Sequence, residues 1–221
     1  MKKLFLLALV AMFGLQSQAQ IVSSRTSMTK TTVVDEPKNG WSTFGFEYLP
    51  SSANPDEGSS KSFTGLALTW TKARSITTQL PLYLEAGLGA QYSFYNESEG
   101  KYETNVKVAS VKVPLNLIYD YLIPNTNINL DPYLGLRFRV NVFGELEREY
   151  NGDSKTYNVF DKDDMGGSDY VWNRFQMGWQ IGVKARFNNS FFVGVAYGTD
   201  FSEISKKVKI SETQLSLGFV F

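Results

Sequence analysis

Apolar and polar residues alternate along three segments of the chain. Over residues 111–121 the apolar side chains occupy every second position, and Lys112 and Asp120 lie at positions between them. Successive side chains of a β-strand point to opposite faces, so this period of two indicates a strand with one apolar and one polar face. The same alternation runs through residues 132–146 and 171–187. The chain is therefore predicted to be all-β.

Five further segments alternate less regularly and bring the number of predicted strands to eight. The eight segments are residues 41–49, 62–72, 82–95, 111–121, 132–146, 171–187, 191–200 and 213–221. Strands of soluble proteins usually have about five or six residues, whereas a tilted strand that crosses a bilayer needs about 9 to 11. Every predicted strand has at least nine residues, and an even number of strands suits a closed barrel. The pattern therefore predicts an eight-stranded antiparallel up-and-down transmembrane β-barrel.

The lengths of the connections support this topology, because outer-membrane barrels have short periplasmic turns and longer external loops. With the first strand running outward, external loops are predicted at residues 50–61, 96–104, 147–170 and 201–212. The periplasmic links are then residues 73–81, 122–130 and 188–190. The longest connection falls outside and the shortest falls inside, as the topology requires.

The beginning of the chain has the pattern of a secretory signal peptide. Lys2 and Lys3 precede an apolar run over residues 4–15, and small residues lead up to Ala19. The run is shorter than the roughly 20 residues that a membrane-spanning helix needs, so cleavage before Gln20 is favoured over a retained anchor. The predicted organisation is a signal peptide over residues 1–19, a flexible periplasmic tail over residues 20–40 and the barrel over residues 41–221.

Charge and composition narrow the chemistry that the chain can perform. Removal of Lys2 and Lys3 with the signal peptide takes the 22 basic residues to 20, against 22 acidic ones, so no basic excess points to nucleic acid as a partner. The sequence has no Cys and no His, which excludes disulfides, thiolate metal sites and imidazole ligands or bases. Neither a cofactor nor a metal ion is expected.

The alternation alone does not decide which face of the barrel meets lipid. The apolar face carries bulky side chains, whereas the polar face mixes charges with glycines, which suits an interior just wide enough for side chains to fill. We therefore expect the apolar face to point outward. The predicted lumen network of ion pairs comprises Glu47, Glu85, Lys112, Asp120, Arg137, Arg139, Glu145, Arg174, Lys184 and Arg186, with Asp200 and Glu212 on the same face. Buried charges are tolerated when they are paired and hydrogen-bonded, so we expect this network in place of a water-filled pore.

Pro114 lies inside a strand that a closed barrel pairs on both sides. Proline has no N–H to donate, so it removes one hydrogen bond from the ladder. A β-bulge is the accommodation that we expect at this position.

The last predicted strand carries a resemblance to a known family. It reads Thr213-Gln-Leu-Ser-Leu-Gly-Phe-Val-Phe221, with Leu215, Leu217, Phe219 and Phe221 in alternate positions. It resembles the C-terminal targeting strand of outer-membrane proteins. Together with the segments Val113-Pro-Leu-Asn-Leu-Ile-Tyr119 and Asp131-Pro-Tyr-Leu-Gly-Leu-Arg-Phe138, it makes residues 41–221 resemble the small outer-membrane β-barrel domains of the porin family, the OmpA/OmpX-like group. The resemblance implies the outer membrane of a Gram-negative bacterium and insertion by the barrel-assembly machinery, and we expect a monomer.

Three classes of function are open to such a barrel. Catalysis is disfavoured, because a serine or water nucleophile needs a neighbouring base such as His, and Glu145 and Glu147 lie beside arginines as candidate ion pairs. A general porin is disfavoured, because aqueous channels have about 16 strands. We therefore predict a non-enzymatic protein with a structural or surface-interaction role through its external loops. A narrow or gated porin-like channel for small solutes and a soluble ligand-binding barrel are the alternatives.

Two of the predicted external loops carry clustered charge. The loop over residues 147–170 is rich in Asp, but Met165 stands where an EF-hand needs an oxygen ligand and Trp172 replaces its closing Glu, so a solvated acidic loop is favoured over a calcium site. The last external loop contains the lysines Lys206, Lys207 and Lys209. These lysines either contact the phosphates of lipopolysaccharide or are ordinary solvent-exposed side chains. Outer-membrane lipid and lipopolysaccharide are the expected partners, and the sequence identifies no external ligand.

Overall fold

A computed structural model describes residues 39–56, 58–167 and 171–221 of the chain. The predicted signal peptide and residues 20–38 of the predicted tail lie outside the described residues. The strands of the described part are β1 (Gly40–Pro55), β2 (Lys61–Ser75), β3 (Leu82–Glu99), β4 (Tyr102–Tyr119), β5 (Tyr121–Leu122), β6 (Ile128–Tyr150), β7 (Asp153–Asn158), β8 (Phe175–Phe187), β9 (Phe191–Asp200) and β10 (Val208–Val220). A single helical turn, α1 (Lys162–Met165), follows β7. No helix in this part of the chain is long and apolar enough to cross a bilayer.

Eight long strands close into a ring. The strands pair antiparallel in the order β4, β3, β2, β1, β10, β9, β8 and β6, and the pairing of β4 with β6 completes the circle. The first and last long strands meet along β1 and β10, where Phe46 lies opposite Leu217. The two short strands, β5 and β7, pair with the beginning and the end of β6. The predicted eight-stranded antiparallel barrel is therefore confirmed.

The barrel turns its apolar face outward, as the sequence predicts. Leu68, Leu134 and Leu217 remain 51, 57 and 58% exposed, whereas the intervening positions are buried and largely polar, as at Glu85 and Lys184. An apolar outer belt around a polar interior is the arrangement of a membrane barrel, and a soluble barrel has the opposite one. The alternative of a soluble ligand-binding barrel is therefore wrong.

The turn between β8 and β9, on the side that the sequence predicts to be periplasmic, is a tight hairpin, as predicted for residues 188–190. The terms periplasmic and external follow this predicted orientation. Asn188 and Asn189 have φ angles of 51° and 49°. This left-handed conformation is required at both central residues of a type I′ turn, and Asn tolerates it better than most residues. The N–H of Ser190 donates to the carbonyl of Phe187 at 2.9 Å.

The strands extend further outside the barrel than the alternation indicates. β3 and β4 are joined only by Gly100 and Lys101, so the predicted loop over residues 96–104 is a β-hairpin. β6 likewise continues to Tyr150 and forms a hairpin with β7 inside the predicted loop over residues 147–170. Outside lipid the two faces of a strand differ less in polarity, so the period of two fades while the backbone pairing continues.

A β-bulge interrupts β6 near its outer end. The pairing of β4 with β6 shifts register between Ala109 and Ser110, and Val142 is the extra residue on β6. One extra residue reverses the face on which every following side chain lies. Leu146 is consequently buried on the lumen side, and Glu145 lies on the exterior side.

Pro114 is accommodated without the predicted bulge. The ladder between β3 and β4 keeps one register on both sides of it and lacks only the pairs of Val113 and Pro114. On its other side Pro114 pairs with Arg137 of β6. The missing N–H therefore leaves a local gap in the pairing with β3, and the bulge of this region lies at Val142 instead.

Candidate functional site

Two arginines of β6 organise the ion pairs in the outer half of the lumen. Arg137 and Arg139 are two residues apart, so both point inward. Arg137 contacts Asp200 of β9 and Glu212 of β10, each at 2.9 Å. Arg139 contacts the same two carboxylates at 2.7 and 3.5 Å. Gln91 of β3 donates to Glu212 at 3.0 Å. The two cations and two anions neutralise each other, and together with Gln91 they link four strands across the interior.

Two lysine–glutamate pairs fill the middle of the lumen. Lys184 of β8 contacts Glu85 of β3 at 2.7 Å, and Lys112 of β4 pairs with Glu47 of β1. Asn116 donates a further hydrogen bond to Glu85 at 2.7 Å. A buried ion pair compensates for the loss of hydration only when its remaining polar atoms are also hydrogen-bonded. These pairs meet that condition.

Arg186 of β8 forms the periplasmic end of the network. Its guanidinium donates to Asp131 at 3.1 Å and contacts Asp120 at 2.9 Å. The same group lies 3.6 Å from the centre of the Trp41 ring. Guanidinium groups combine such planar stacking with paired hydrogen bonds to carboxylates. Arg186 therefore joins the charged middle of the lumen to the apolar residues beneath it.

Eight of the ten predicted network residues lie in these three clusters, and two do not. The bulge at Val142 turns Glu145 away from the lumen. Arg174 lies exposed at the residue before β8, where it donates to the backbone carbonyls of Asn141 and Val142 at 3.3 Å each. The placement of Glu145 and Arg174 in the lumen network is therefore wrong.

The network also contains Asp131, one residue before the strand that the alternation predicts from residue 132. β6 begins at Ile128, and Asp131 is fully buried against Arg186. Asp131 continues the lumen phase of Tyr133, Gly135 and Arg137, so the period of two carries the signal that would have found it.

Apolar clusters close the lumen above and below the charges. The periplasmic cluster comprises Trp41, Ala73, Tyr83, Ile118, Tyr133, Phe192, Ala196 and Val220. The external cluster comprises Val106, Val108, Leu146 and Val159, packed against Phe63, Tyr95, Tyr157, Phe160, Met165 and Trp172. Between the clusters, the cavity beside Glu47 and Glu85 has a volume of about 20 Å³, room for about one water molecule. The lumen, as far as the structure describes it, is therefore filled.

An antiparallel sheet projects from the external end of the barrel. The external sheet, as we name it, consists of residues 95–99 of β3, 102–109 of β4, 143–150 of β6, and β7. The rings of Tyr102 and Tyr150 pack against each other across it, tilted by 30° with their centres 4.7 Å apart. In the described part of the chain β7 pairs only with β6, so the other edge of β7 presents backbone N–H and C=O groups without strand partners.

An exposed ion pair borders the opposite edge of the external sheet. Lys61, the first residue of β2, pairs with Glu97 of β3. The hydrogen bond between them lowers the pKa of the Glu97 carboxyl and raises the pKa of the Lys61 ammonium. Exposed pairs of this kind contribute little to stability, because water and salt screen them.

The acidic residues of the long external connection have local structural roles. The Asp161 carboxylate caps α1, and the Asp164 carboxylate accepts a hydrogen bond from the N–H of Asn158 at 2.9 Å. Within the described ranges, no three His, Cys, Asp or Glu side chains are grouped so as to hold a metal ion. In the last external connection, the N–H of Lys207 donates to the Glu203 carboxylate at 2.9 Å.

The predicted targeting strand is β10. Leu215, Leu217 and Phe219 point outward and are 47, 58 and 69% exposed, and Phe221 follows the strand. β10 pairs with β1 on one side and β9 on the other. Both of its edges are therefore occupied in the closed barrel.

Comparison with known proteins yields one family match. A family model described as an outer membrane protein beta-barrel domain matches residues 43–205. No curated protein sequence matches the chain significantly.

Solved structures with a similar course of the chain are outer-membrane proteins. Ail, the attachment invasion locus protein of Yersinia pestis, is 15% identical with a TM-score of 0.47, over 83% of this chain and 99% of that one. Neisserial surface protein A is 15% identical with a TM-score of 0.46, over 81% and 95%. The outer membrane enzyme PagL is 14% identical with a TM-score of 0.44, over 79% and 97%. Similarities this weak carry no conclusion about activity.

Proposed function

The chain belongs to the family of outer membrane protein beta-barrel domains, and within that family we propose for it a non-enzymatic role in envelope structure and surface interaction. The barrel is the anchor, and the external sheet is the part that meets other molecules. The observation that carries the proposal is a lumen closed by apolar clusters, beneath a sheet whose edge strand β7 is paired on one side only among the described residues.

The filled lumen argues against a channel. A solute would have to displace apolar side chains at both ends and break ion pairs such as Arg137 with Asp200. Removing one partner of a buried pair costs about 3 to 5 kcal/mol, which is far above thermal energy. A barrel of eight strands also has an interior that side chains fill.

The chemistry of the lumen argues against catalysis. The sequence has no His or Cys, so carboxylates are the bases that remain. Glu47, Glu85, Asp200 and Glu212 are each held by a cation within the barrel. A carboxylate locked in a buried ion pair is neither accessible to substrate nor free to take a proton.

The external sheet supports an interaction role. An extended segment of a partner can add to an unpaired strand edge through main-chain hydrogen bonds. β7 offers such an edge over residues 153–157, because the N–H and the C=O of Asn158 are already bonded to Asp164 and Asp161. All side chains of β7 except that of Tyr157 are exposed. The tip of the sheet lies roughly 30 Å beyond the last residue of β6 that pairs with β8, at about 3.3 Å per residue.

Two measurements test the two parts of this proposal. In planar bilayers, the purified barrel is expected to give no sustained current steps, and steps in most insertions would favour the narrow or gated channel. In cells, a variant in which residues 147–156 are replaced by a short turn, which keeps the external cluster intact, is expected to lose adhesion to protein-coated surfaces while keeping detergent resistance. Shortening residues 56–60, outside the external sheet, is the matched control. Equal adhesion of all three proteins would leave only the structural role.

Export and assembly complete the proposal. We expect residues 1–19 to direct export and to be removed before Gln20. We expect the barrel-assembly machinery to recognise β10 before the ring closes, since both edges of β10 are paired afterwards. The assembled protein is expected to be a monomer, because a closed barrel leaves no free strand edge within the bilayer.

A further inference from the structure

β6 changes its neighbour at the outer rim of the barrel. Its pairing with β8 ends at Val140, opposite Phe175, and its pairing with β7 begins at Glu145. The bulge at Val142 lies between these two points. The change of neighbour leaves a cavity of about 290 Å³, the notch, with Val142, Phe143, Glu145, Phe160 and Arg174 in its lining.

Arg174 is the cation of the notch, and contacts with the backbone and with an aromatic ring orient it. One guanidinium nitrogen donates to the carbonyls of Asn141 and Val142 at 3.3 Å each, and the group lies 4.1 Å from the centre of the Phe160 ring. Within the described ranges its guanidinium has no carboxylate within 4.0 Å. A guanidinium has five N–H donors, so donors remain for an anion. A planar guanidinium binds phosphate, as it binds carboxylate, through two parallel hydrogen bonds.

Apolar side chains surround the opening of the notch. Val142, Phe143 and Phe175 are 55, 44 and 53% exposed, and Phe175 lies next to Arg174 in sequence. The bulge brings Val142 and Phe143 to this exterior side in succession. A cation beside exposed apolar surface suits an amphiphile whose headgroup is anionic and whose chains run along the barrel wall.

Glu145 restricts the headgroup further. Its carboxylate lines the same notch as Arg174, so a bare anion would meet repulsion beside the attraction. A headgroup that carries an amine as well as a phosphate satisfies both side chains. We propose that the notch binds the amine-bearing phosphate headgroup of an outer-leaflet lipid, with the phosphate on Arg174 and the amine beside Glu145. This inference does not depend on the external sheet having a protein partner.

The test is native mass spectrometry of the full barrel released from maltoside micelles during titration with phosphatidylethanolamine. Wild type is expected to retain one lipid preferentially, and Arg174→Gln to weaken that binding about tenfold, the scale of losing one charge-assisted contact. Glu145→Gln is expected to remove the preference for phosphatidylethanolamine over phosphatidylglycerol. The control is Arg148→Gln, because Arg148 is an exposed arginine on the neighbouring part of β6. Equal binding by the Arg174→Gln and Arg148→Gln variants would overturn the proposal.

A second measurement uses only the wild-type protein, so its result does not depend on whether a substituted protein folds. Wild-type barrel in nanodiscs is irradiated with phosphatidylethanolamine that carries a photoreactive group on its headgroup. Cross-links are expected on the peptides that contain Val142 to Glu145 and Arg174, and cross-links spread evenly around the rim would refute the site. Equal displacement by free phosphoethanolamine at the lipid's concentration would refute a lipid ligand. None of these outcomes alters the expected conductance or adhesion results.

Discussion

Single charged residues of the lumen are coupled in pairs, and this coupling sets the effect of a substitution. Lys184→Met leaves the Glu85 carboxylate buried at 1% exposure without its cation, and it is expected to lower the free energy of unfolding by about 3 to 5 kcal/mol. The double variant Glu85→Met with Lys184→Met is expected to lose much less than the sum of the two single losses, because replacing a whole buried pair by apolar side chains is often nearly neutral. Urea titrations in detergent micelles, followed by Trp fluorescence, measure all three.

An exposed pair supplies the control for this cycle. Lys61→Met breaks the pair with Glu97 at the edge of the external sheet, where both side chains are largely exposed. Its effect is expected to stay within about 0.5 kcal/mol. Additive losses at Glu85 and Lys184 would show that the two side chains are not energetically paired.

The sequence identifies most residues of the lumen correctly, but it misplaces the residues around the β-bulge at Val142. The alternation brings Arg137 and Arg139 inward correctly, since no bulge precedes them in β6. Beyond Val142 the phase reverses, so Glu145 moves to the exterior. The visible trace of this reversal is the apolar doublet Val142-Phe143, which breaks the period of two. Arg174 is misplaced for another reason, because it precedes the first residue of β8.

Among the elements, β6 depends most on the alternation of its two faces. Deletion of Leu136 from the regular ladder would reverse the faces on one side of the deletion, so that either Asp131 or Arg137 would meet lipid. A charge moved into hydrocarbon is strongly unfavourable, and its buried partners would be left unpaired. The deletion is therefore expected to abolish the folded band on unheated gels, or to lower its melting temperature sharply. Deletion of Val142 is the control, because it removes only the extra residue of the bulge and leaves Glu145 outside, and it is expected to remain near wild type.

An unchanged melting temperature after the deletion of Leu136, or a loss of folding after the deletion of Val142, would mean that the alternation does not set the two faces of β6.

Sequence patterns predict the strands inside the belt better than those outside it. Strand positions inside the belt are predicted well, and β9 spans residues 191–200 as the alternation indicates. The hairpins of the external sheet are missed, because their pairing is made by backbone groups whose side chains are polar on both faces in places, as at Glu103 and Thr104.

For the whole molecule, the decisive physical property is the apolar outer surface. Large exposed apolar side chains continue around the ring, as at Leu68, Leu88, Leu134, Ile181 and Leu217. Contiguous patches above a few hundred Å² are rare on soluble monomers and drive association in water. The interior gives no alternative core to which the chain could invert, since its side chains are mostly polar or charged and already paired. Removal of detergent from the purified, folded protein is therefore expected to cause aggregation, with the aggregates eluting in the void volume of a size-exclusion column.

The same protein reconstituted in lipid nanodiscs is expected to stay monodisperse and to keep its resistance to protease within the barrel. The control variant Leu68→Ser with Leu134→Ser reduces the apolar surface at two exposed sites without touching the lumen. Two polar replacements out of a belt this large are too few to make the barrel soluble, so the variant should still aggregate in buffer. A monodisperse, folded wild-type monomer in buffer alone would contradict the outward assignment of the apolar face, and with it both the membrane anchor and the lipid site at the notch.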